Sequence, residues 1–400
     1  MTLSRYFRLA LFGGLYFAQG AIMSYFLTFN ILYLGEFGYG EADIGIFQAI
    51  LVVPFVLKIF LGMLSDAVNL LGLGHRKPYI FIGLTMQALA AVALAHVSPA
   101  DGLGGFAIVA FIASIGMALY DTCTDGLALD LTPEDERGIV QGVMVGGRAT
   151  GILVLLLIGG QIAQALGWQW VFYLVGLLAL LPMPLVWRVQ ERPDDVRRQA
   201  FQWSAFKAFG RGTVLMLAAM GLIYSLAIDG IYTFLSDHLH DAMEVSIGSV
   251  GALIALAMVG RIVGALSNSW LTDRIGHKQS LWVAIALTSV GSVGLALGGG
   301  VAMVAVSGFL FGLAYGYYNS VYAAVAMDFS DPRISASMFA IFMMFINLGT
   351  VGGQMASGAL TESLGFGAMC LVMGGVNLLN VLLVAGVFGA RRAARAATAH

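Results

Sequence analysis

Apolar runs of about twenty residues recur along the whole chain, separated by short polar breaks. A run of that length is what an α-helix needs to cross the hydrocarbon core of a bilayer. The pattern predicts twelve spans, at about 9–34, 43–65, 78–97, 104–130, 138–163, 168–188, 211–236, 245–271, 279–299, 301–328, 334–360 and 365–389. The first is long enough to be a retained span rather than a cleaved leader. One long hydrophilic break, 190–210, divides the twelve into two sets of six. The expected fold is therefore an all-α membrane protein with twelve transmembrane helices in two pseudo-symmetric six-helix bundles. Residues 1–189 form the first bundle, 190–210 a central loop and 211–400 the second.

The two halves repeat. The second span ends in LGMLSDAVNLLGLGHRKPY and the eighth in GALSNSWLTDRIGHKQS. Each places an acid, Asp66 or Asp273, at a helix end, followed by glycine and bases: Arg76 and Lys77, or Arg274 and Lys278. The fourth and tenth spans align at a shift of 198, so that Asp121 meets Asn319 and Asp130 meets Asp328. Duplication of a six-span unit is a transporter design, with the solute site at mid-membrane where the repeats meet.

Charge sets the orientation. Seventeen of the 20 Lys and Arg fall in segments on one side, among them Arg5, Arg137, Arg211, Arg333 and Arg391. The opposite loops have none and carry Glu36, Glu41, Asp101, Asp241 and Glu244 instead. Basic loops stay in the cytoplasm, so both termini and the central loop are expected there, in a bacterial inner membrane. Hydrophobic residues are 59% and charged residues 10% of the chain, against about 25% charged in soluble proteins. A net charge of −2 gives no sign of nucleic-acid binding, and Cys123 and Cys370, both in apolar helices, imply no disulfide framework. No catalytic constellation stands out. His238 and His240 are two apart in a predicted loop, a pattern that solvated loop residues explain better than a metal. Neither an enzyme nor a cofactor is expected.

The remaining three bases, Lys58, Arg148 and Arg261, lie inside spans, as do Asp121, Asp125 and Asp229. A charge at the bilayer centre costs at least about 2.5–3.5 kcal/mol, and such residues usually face the bundle interior and mark a solute or ion path. Asp121 and Asp125 are four apart and share a helix face. Arg148 lies about ten residues, or about 15 Å, into the next helix, at a depth similar to Asp121. Lys58 is a candidate partner for either acid, or a lysine that snorkels to the interface. Repeat alignment gives Arg148 no charged counterpart, its place in the second half falling near Met344. Asp229 is read as a partner of Arg261 or as a proton site. Gln19, Asn319, Asn347 and Gln354 are candidate hydrogen-bonders to a solute. Tyr16, Phe17, Tyr25, Tyr224, Tyr232, Tyr315, Tyr317 and Tyr318 lie on the first, seventh and tenth spans. Lining aromatics with a polar tip suit organic solutes, while interfacial belts and packing account better for any single one. Asp66, Arg76, Lys77, Asp130, Arg137, Asp273, Arg274, Lys278, Asp328 and Arg333 form the expected cytoplasmic gate.

The Asp, Arg, Gly, base pattern at 66–78 and 273–278 resembles the loop motif of the major facilitator superfamily. Pro54 to Lys58, Leu64-Ser65-Asp66, Gly74 to Tyr79 and the Asp121, Asp125 pair are similar to the branch of muropeptide permeases, acetyl-CoA transporters and folate–biopterin transporters. The chain departs from the motif in a lengthened first loop, 67–74, and in Ala67 where Arg is usual. The resemblance implies the major facilitator fold and a secondary transporter, working by alternating access on a small organic, polar or anionic solute. The lipid bilayer is its other partner, nucleic acid is not one, and the monomer is expected to be the working unit. The coupling ion is a proton or Na⁺. A multidrug-type exporter is the rival transporter reading, disfavoured by three buried bases that would repel cations. A receptor or assembly factor that kept the scaffold is the rival of another class.

Overall fold

The computed structural model describes residues 4–72, 74–133, 136–191, 207, 210–329 and 335–398. It does not describe the side chains of 66, 71, 137–138, 269–270, 273, 335–337 and 390–398. Among the described residues, twelve helices are long and apolar enough to cross a membrane. In chain order they are α1 Arg5–Glu36, α2 Glu41–Ser65, α3 Lys77–Leu94, α4 Leu103–Leu131, α5 Ile139–Leu166, α6 Trp168–Trp187, α7 Gly212–Ala242, α8 Ile247–Asn268, α9 His277–Ala296, α10 Val301–Asp328, α11 Met338–Leu364 and α12 Phe366–Gly389. A helix closes its own backbone hydrogen bonds, the condition for lying in hydrocarbon, and α2 departs from this at one point. Large apolar side chains such as Leu89, Ile108, Leu177, Leu266 and Leu382 stay exposed, as lipid-facing positions require.

Contacts divide the chain into two units. One holds Met1–Gly38, Leu57–Ala200 and Ser246–Ala252; the other holds Tyr39–Val56, Phe201–Val245 and Leu253–His400. In the first unit α1 packs along α5, α3 along α4 and α6, and the C-terminal segment of α2 along α4. In the second, α7 packs along α11, α9 along α10 and α12, and the N-terminal segment of α2 along α11.

The boundary within α2 has a local cause. Pro54 lies inside the helix, and Leu57 leaves helical geometry at φ −85° and ψ 4°. Proline has no N–H to give and crowds the preceding turn. Beside the Leu57 break, the carbonyl of Phe55 accepts the Asn347 side-chain amide at 3.0 Å.

Close helix contact is built on small residues. A side chain at Gly147 or Gly151 of α5 would collide with the carbonyls of Gly13 or Phe17 on α1. Likewise, Gly349 and Gly353 of α11 face the carbonyls of Leu222 and Leu226 on α7. Both pairs have the G-x-x-x-G spacing that lets membrane helices approach. These matching contacts fix the repeat register from the structure. Arg148 corresponds to Thr350, not to the neighbourhood of Met344, because the close-packed glycines, and not overall similarity, set the alignment. Arg148 still has no charged counterpart. A further irregularity recurs: α1 widens to a π-turn at Tyr25–Phe29 and α7 at His238–Ala242. The α7 turn places Asp237 and His238 on the helix, where the sequence pattern had ended it at 236.

Candidate functional site

Four helices of the first unit converge on one polar cluster, three of them bringing charges. Lys58 opens the α2 segment just after the break. Its ammonium donates to Asp121 Oδ2 at 2.5 Å and to Asp125 Oδ2 at 3.0 Å. The two acids are one turn apart on α4, so one cation reaches both. On α5, Arg148 Nη2 lies 3.6 Å from Asp121 Oδ1. Gln19 of α1 joins them: its amide nitrogen donates to Asp121 Oδ1 and its oxygen accepts from Arg148 Nε at 2.8 Å. Tyr16 of α1 donates its hydroxyl to Asp125 Oδ1, and its ring lies under the Arg148 guanidinium, 4.6 Å from Cζ.

The cluster is neutral, two acids against two bases, and unevenly covered. The Asp121 side chain is 5% exposed and Asp125 41%, with Lys58 at 32% and Arg148 at 36%. Asp121 is held by fixed donors on three helices. Asp125 keeps an open side. The grouping of Lys58, Asp121, Asp125 and Arg148 follows the depth argument from sequence. The bridging Gln19 and the Tyr16–Asp125 bond do not, because they depend on the rotation of α1 against α4.

The second unit has a different arrangement at the corresponding helix contact. Asp229 of α7 accepts the hydroxyls of Tyr315 on α10, Ser225 one turn back, and Thr350 on α11 at 2.6 Å. Arg261 of α8 lies 3.8 Å above the Tyr315 ring centroid. Asp229 and Arg261 are therefore linked through Tyr315 and do not form the direct pair that the sequence suggested. Ser225 and Thr350 escaped sequence reading because hydroxyls inside apolar helices usually bond back to their own turn. Asn347 is taken up by the Phe55 carbonyl. Gln354 is 1% exposed and its Oε1 has no hydrogen-bond partner, and Asn319 is half-buried.

Of the gate residues, Arg76 is buried, donates to Ser65 Oγ at 2.5 Å and lies 3.7 Å from Asp130. Lys77 Nζ donates to the carbonyls of Trp187 and Val189 at 2.7 and 2.8 Å. Glu191, which sequence reading passed over, accepts the backbone N–H groups of His75 at 2.7 Å, Arg76 at 2.8 Å and Lys77. An acid just beyond the end of a span, level with the start of α3, was the available signal, since a helix N-terminus attracts an anion. Asp328 pairs with His277 Nδ1 at 2.9 Å. Arg274 is exposed and Lys278 half-buried. Asp66, Arg137 and Asp273 have side chains outside those described, and Arg333 lies outside the described residues. His238 stacks on Phe366 and His240 Nδ1 contacts the Val245 carbonyl at 2.8 Å. No described group of three or more His, Cys, Asp or Glu could hold a metal.

With this geometry in view, the sequence profile of the Major Facilitator Superfamily matches residues 11–299 and 217–400. The chain belongs to the major facilitator superfamily. The anhydromuropeptide permease of Escherichia coli K12 is 24% identical over 344 residues, 82% of this chain and 70% of that one. The galactose-proton symporter of the same strain is 27% identical over 195 residues, so the match spans 48% of this chain but only 40% of the symporter. Among solved structures, the nucleoside transporter NupG superposes with a TM-score of 0.79 at 16% identity, covering 96% of this chain and 98% of that one. A bacterial homologue of the lysosomal transporter Spinster gives 0.71 at 17%, covering 98% of each chain. At these identities the structures establish the superfamily fold. The permease agrees with the branch suggested by the α2 and α4 motifs. The protein is thus an integral membrane protein of a transporter family.

Proposed function

We propose that the protein is a secondary active transporter that moves an organic, polar or anionic solute across the bacterial inner membrane by alternating access. Protons drive it, no cofactor takes part, and both termini face the cytoplasm. The observation that carries this reading is the four-charge cluster of Lys58, Asp121, Asp125 and Arg148 in the interior of the spans. Relatives described as galactose-proton and arabinose-proton symporters and as an anhydromuropeptide permease support it.

Asp125 is the acid that exchanges its proton. It is the more exposed of the two, and half of its binding is a Tyr16 hydroxyl that can turn to accept as well as donate. Asp121 stays ionised as the fixed counter-charge. Protonation of Asp125 removes one of the two partners of Lys58, whose ion pairs tie the start of the segment after the Leu57 break to α4. The proton thereby loosens one helix segment at its hinge and leaves the cluster one positive charge in excess, a state that favours an anionic solute.

The test is proton entry into proteoliposomes loaded with a pH-sensitive dye, on addition of galactose, arabinose or an anhydromuropeptide. Solute-dependent acidification is expected in the wild type and absent in Asp125→Asn, which retains solute exchange. Undiminished acidification in Asp125→Asn would falsify the assignment.

A further inference from the structure

The bases of the two units differ in what they already hold. Lys58 and Arg148 are matched by two carboxylates. Arg261 is not. Its guanidinium carbon lies 3.8 Å from the centroid of the Tyr315 ring, and its five N–H donors, which point outward along the guanidinium edge, meet no carboxylate. Among the described residues no acid lies within ion-pair distance of it. The acid in the same region, Asp229, has its oxygens taken by Tyr315, Ser225 and Thr350. Beside this cation stands a second donor. Tyr232 is 5% exposed, its ring centroid is 5.9 Å from that of Tyr315, and its buried hydroxyl has no hydrogen-bond partner.

Arg261 is also held firmly. Its carbonyl packs so closely on Gly316 of α10 that no side chain fits there, and Gly264 makes the same kind of contact with Leu313. A cation with unused donors in an apolar layer is costly to keep. A guanidinium carried on a closely packed backbone, with its donors unused, matches the planar fork of an oxyanion.

We infer that Arg261, with the Tyr232 hydroxyl as second donor, is the receptor for an oxyanion group of the solute, a carboxylate or a phosphate. The inference rests on the reading of this protein as a transporter of an anionic solute, and it assigns recognition to the second unit and proton exchange to the first. Tyr315 is the platform on which the guanidinium sits, and Asp229 fixes Tyr315.

The experiment is thermal unfolding of the purified full chain with matched charged and neutral compounds: galacturonate and galactose, 4-hydroxybenzoate and 4-hydroxybenzyl alcohol, uridine monophosphate and uridine. A charged member is expected to raise the wild-type melting temperature while its neutral partner does not, the carboxylate and phosphate pairs separating the two anion types. Arg261→Gln should abolish that shift, and Arg261→Lys, which keeps the charge but loses the fork, should weaken binding about tenfold. Tyr232→Phe should weaken it about tenfold, as for a lost hydrogen bond to a charged group. Should Arg261→Gln fail to fold, the Lys and Phe variants decide. Equal shifts in wild type and variants, equal shifts by neutral partners, or no shift by any charged member would each overturn the receptor. Charge-selective binding lost in Arg261→Gln, without any solute-driven proton entry in the wild type, would overturn the transport reading and leave the receptor standing.

Discussion

Replacing Lys58 with Met keeps the length of the side chain and removes its charge. Asp121 then loses its 2.5 Å partner and Asp125 its 3.0 Å partner. Breaking a buried pair by removing one member costs about 3–5 kcal/mol when the remaining charge has no other support. Asp121 retains Gln19 and, at 3.6 Å, Arg148, and Asp125 retains Tyr16 and an open side, which reduces the cost to about 2–3 kcal/mol. For a bundle of this size each kcal/mol moves the melting temperature by about 2–4 °C, so a fall of about 4–12 °C is expected. Intrinsic tryptophan fluorescence during heating measures it. Because the cost is an acid left without its cation, Lys58→Met combined with Asp125→Asn should recover about half of the loss, whereas Asp125→Asn alone should cost about 1 kcal/mol or less. A melting temperature for Lys58→Met within about 1 °C of the wild type, or a double variant no more stable than the single, would refute the cluster as an energetic unit.

The remaining expectations concern topology and packing. Cysteine substitutions at 207 and 395 should react only with reagents on the cytoplasmic side, and those at Asp101 and Asp241 only from outside; labelling of 207 from outside reverses the orientation. Gly20→Leu should collapse expression of folded protein or shift α1 off α5, since any side chain there meets the Arg148 carbonyl, and a normally stable, active variant contradicts that contact. Glu191→Gln should raise amide exchange at the start of α3, where three N–H groups lose an anionic acceptor, and unchanged exchange removes the clamp.

The twelve spans were legible because membrane helices carry their environment in every residue. Asp121, Asp125 and Arg148 were legible as a group because helix rise converts sequence separation into depth. Lys58 was readable as a candidate partner but not as the bridge between both acids, since that depends on α2 restarting after Leu57. The signal for the break, Pro54, was present, yet proline within apolar runs is common enough in membrane helices that a continuous span was the natural reading. Other features depend on helix rotation, which hydropathy does not encode: Gln19 between Arg148 and Asp121, Tyr315 between Arg261 and Asp229, and Asn347 turned to a backbone carbonyl. The repeat register shows the same limit. Similarity of apolar sequence placed Arg148 opposite Met344, while the glycines that set interhelical distance place it opposite Thr350.

The central claim, that the charges of the first unit couple protons to solute and do more than hold helices together, separates cleanly in the double variant Asp121→Asn/Arg148→Gln. Either single change leaves a charge with reduced support; together they leave a neutral, hydrogen-bonded pair beside Gln19. Stability and pH-gradient-driven uptake are measured on the same proteoliposome preparation. With Asp121 neutral, Asp125 is the sole acid on Lys58 and is held ionised by it, so it no longer exchanges its proton. The coupling account therefore predicts that the double variant melts close to the wild type and still exchanges solute for solute, but accumulates none against a gradient. Full recovery of driven accumulation together with stability would show that the pair serves only to lock α4 to α5, and would contradict the account.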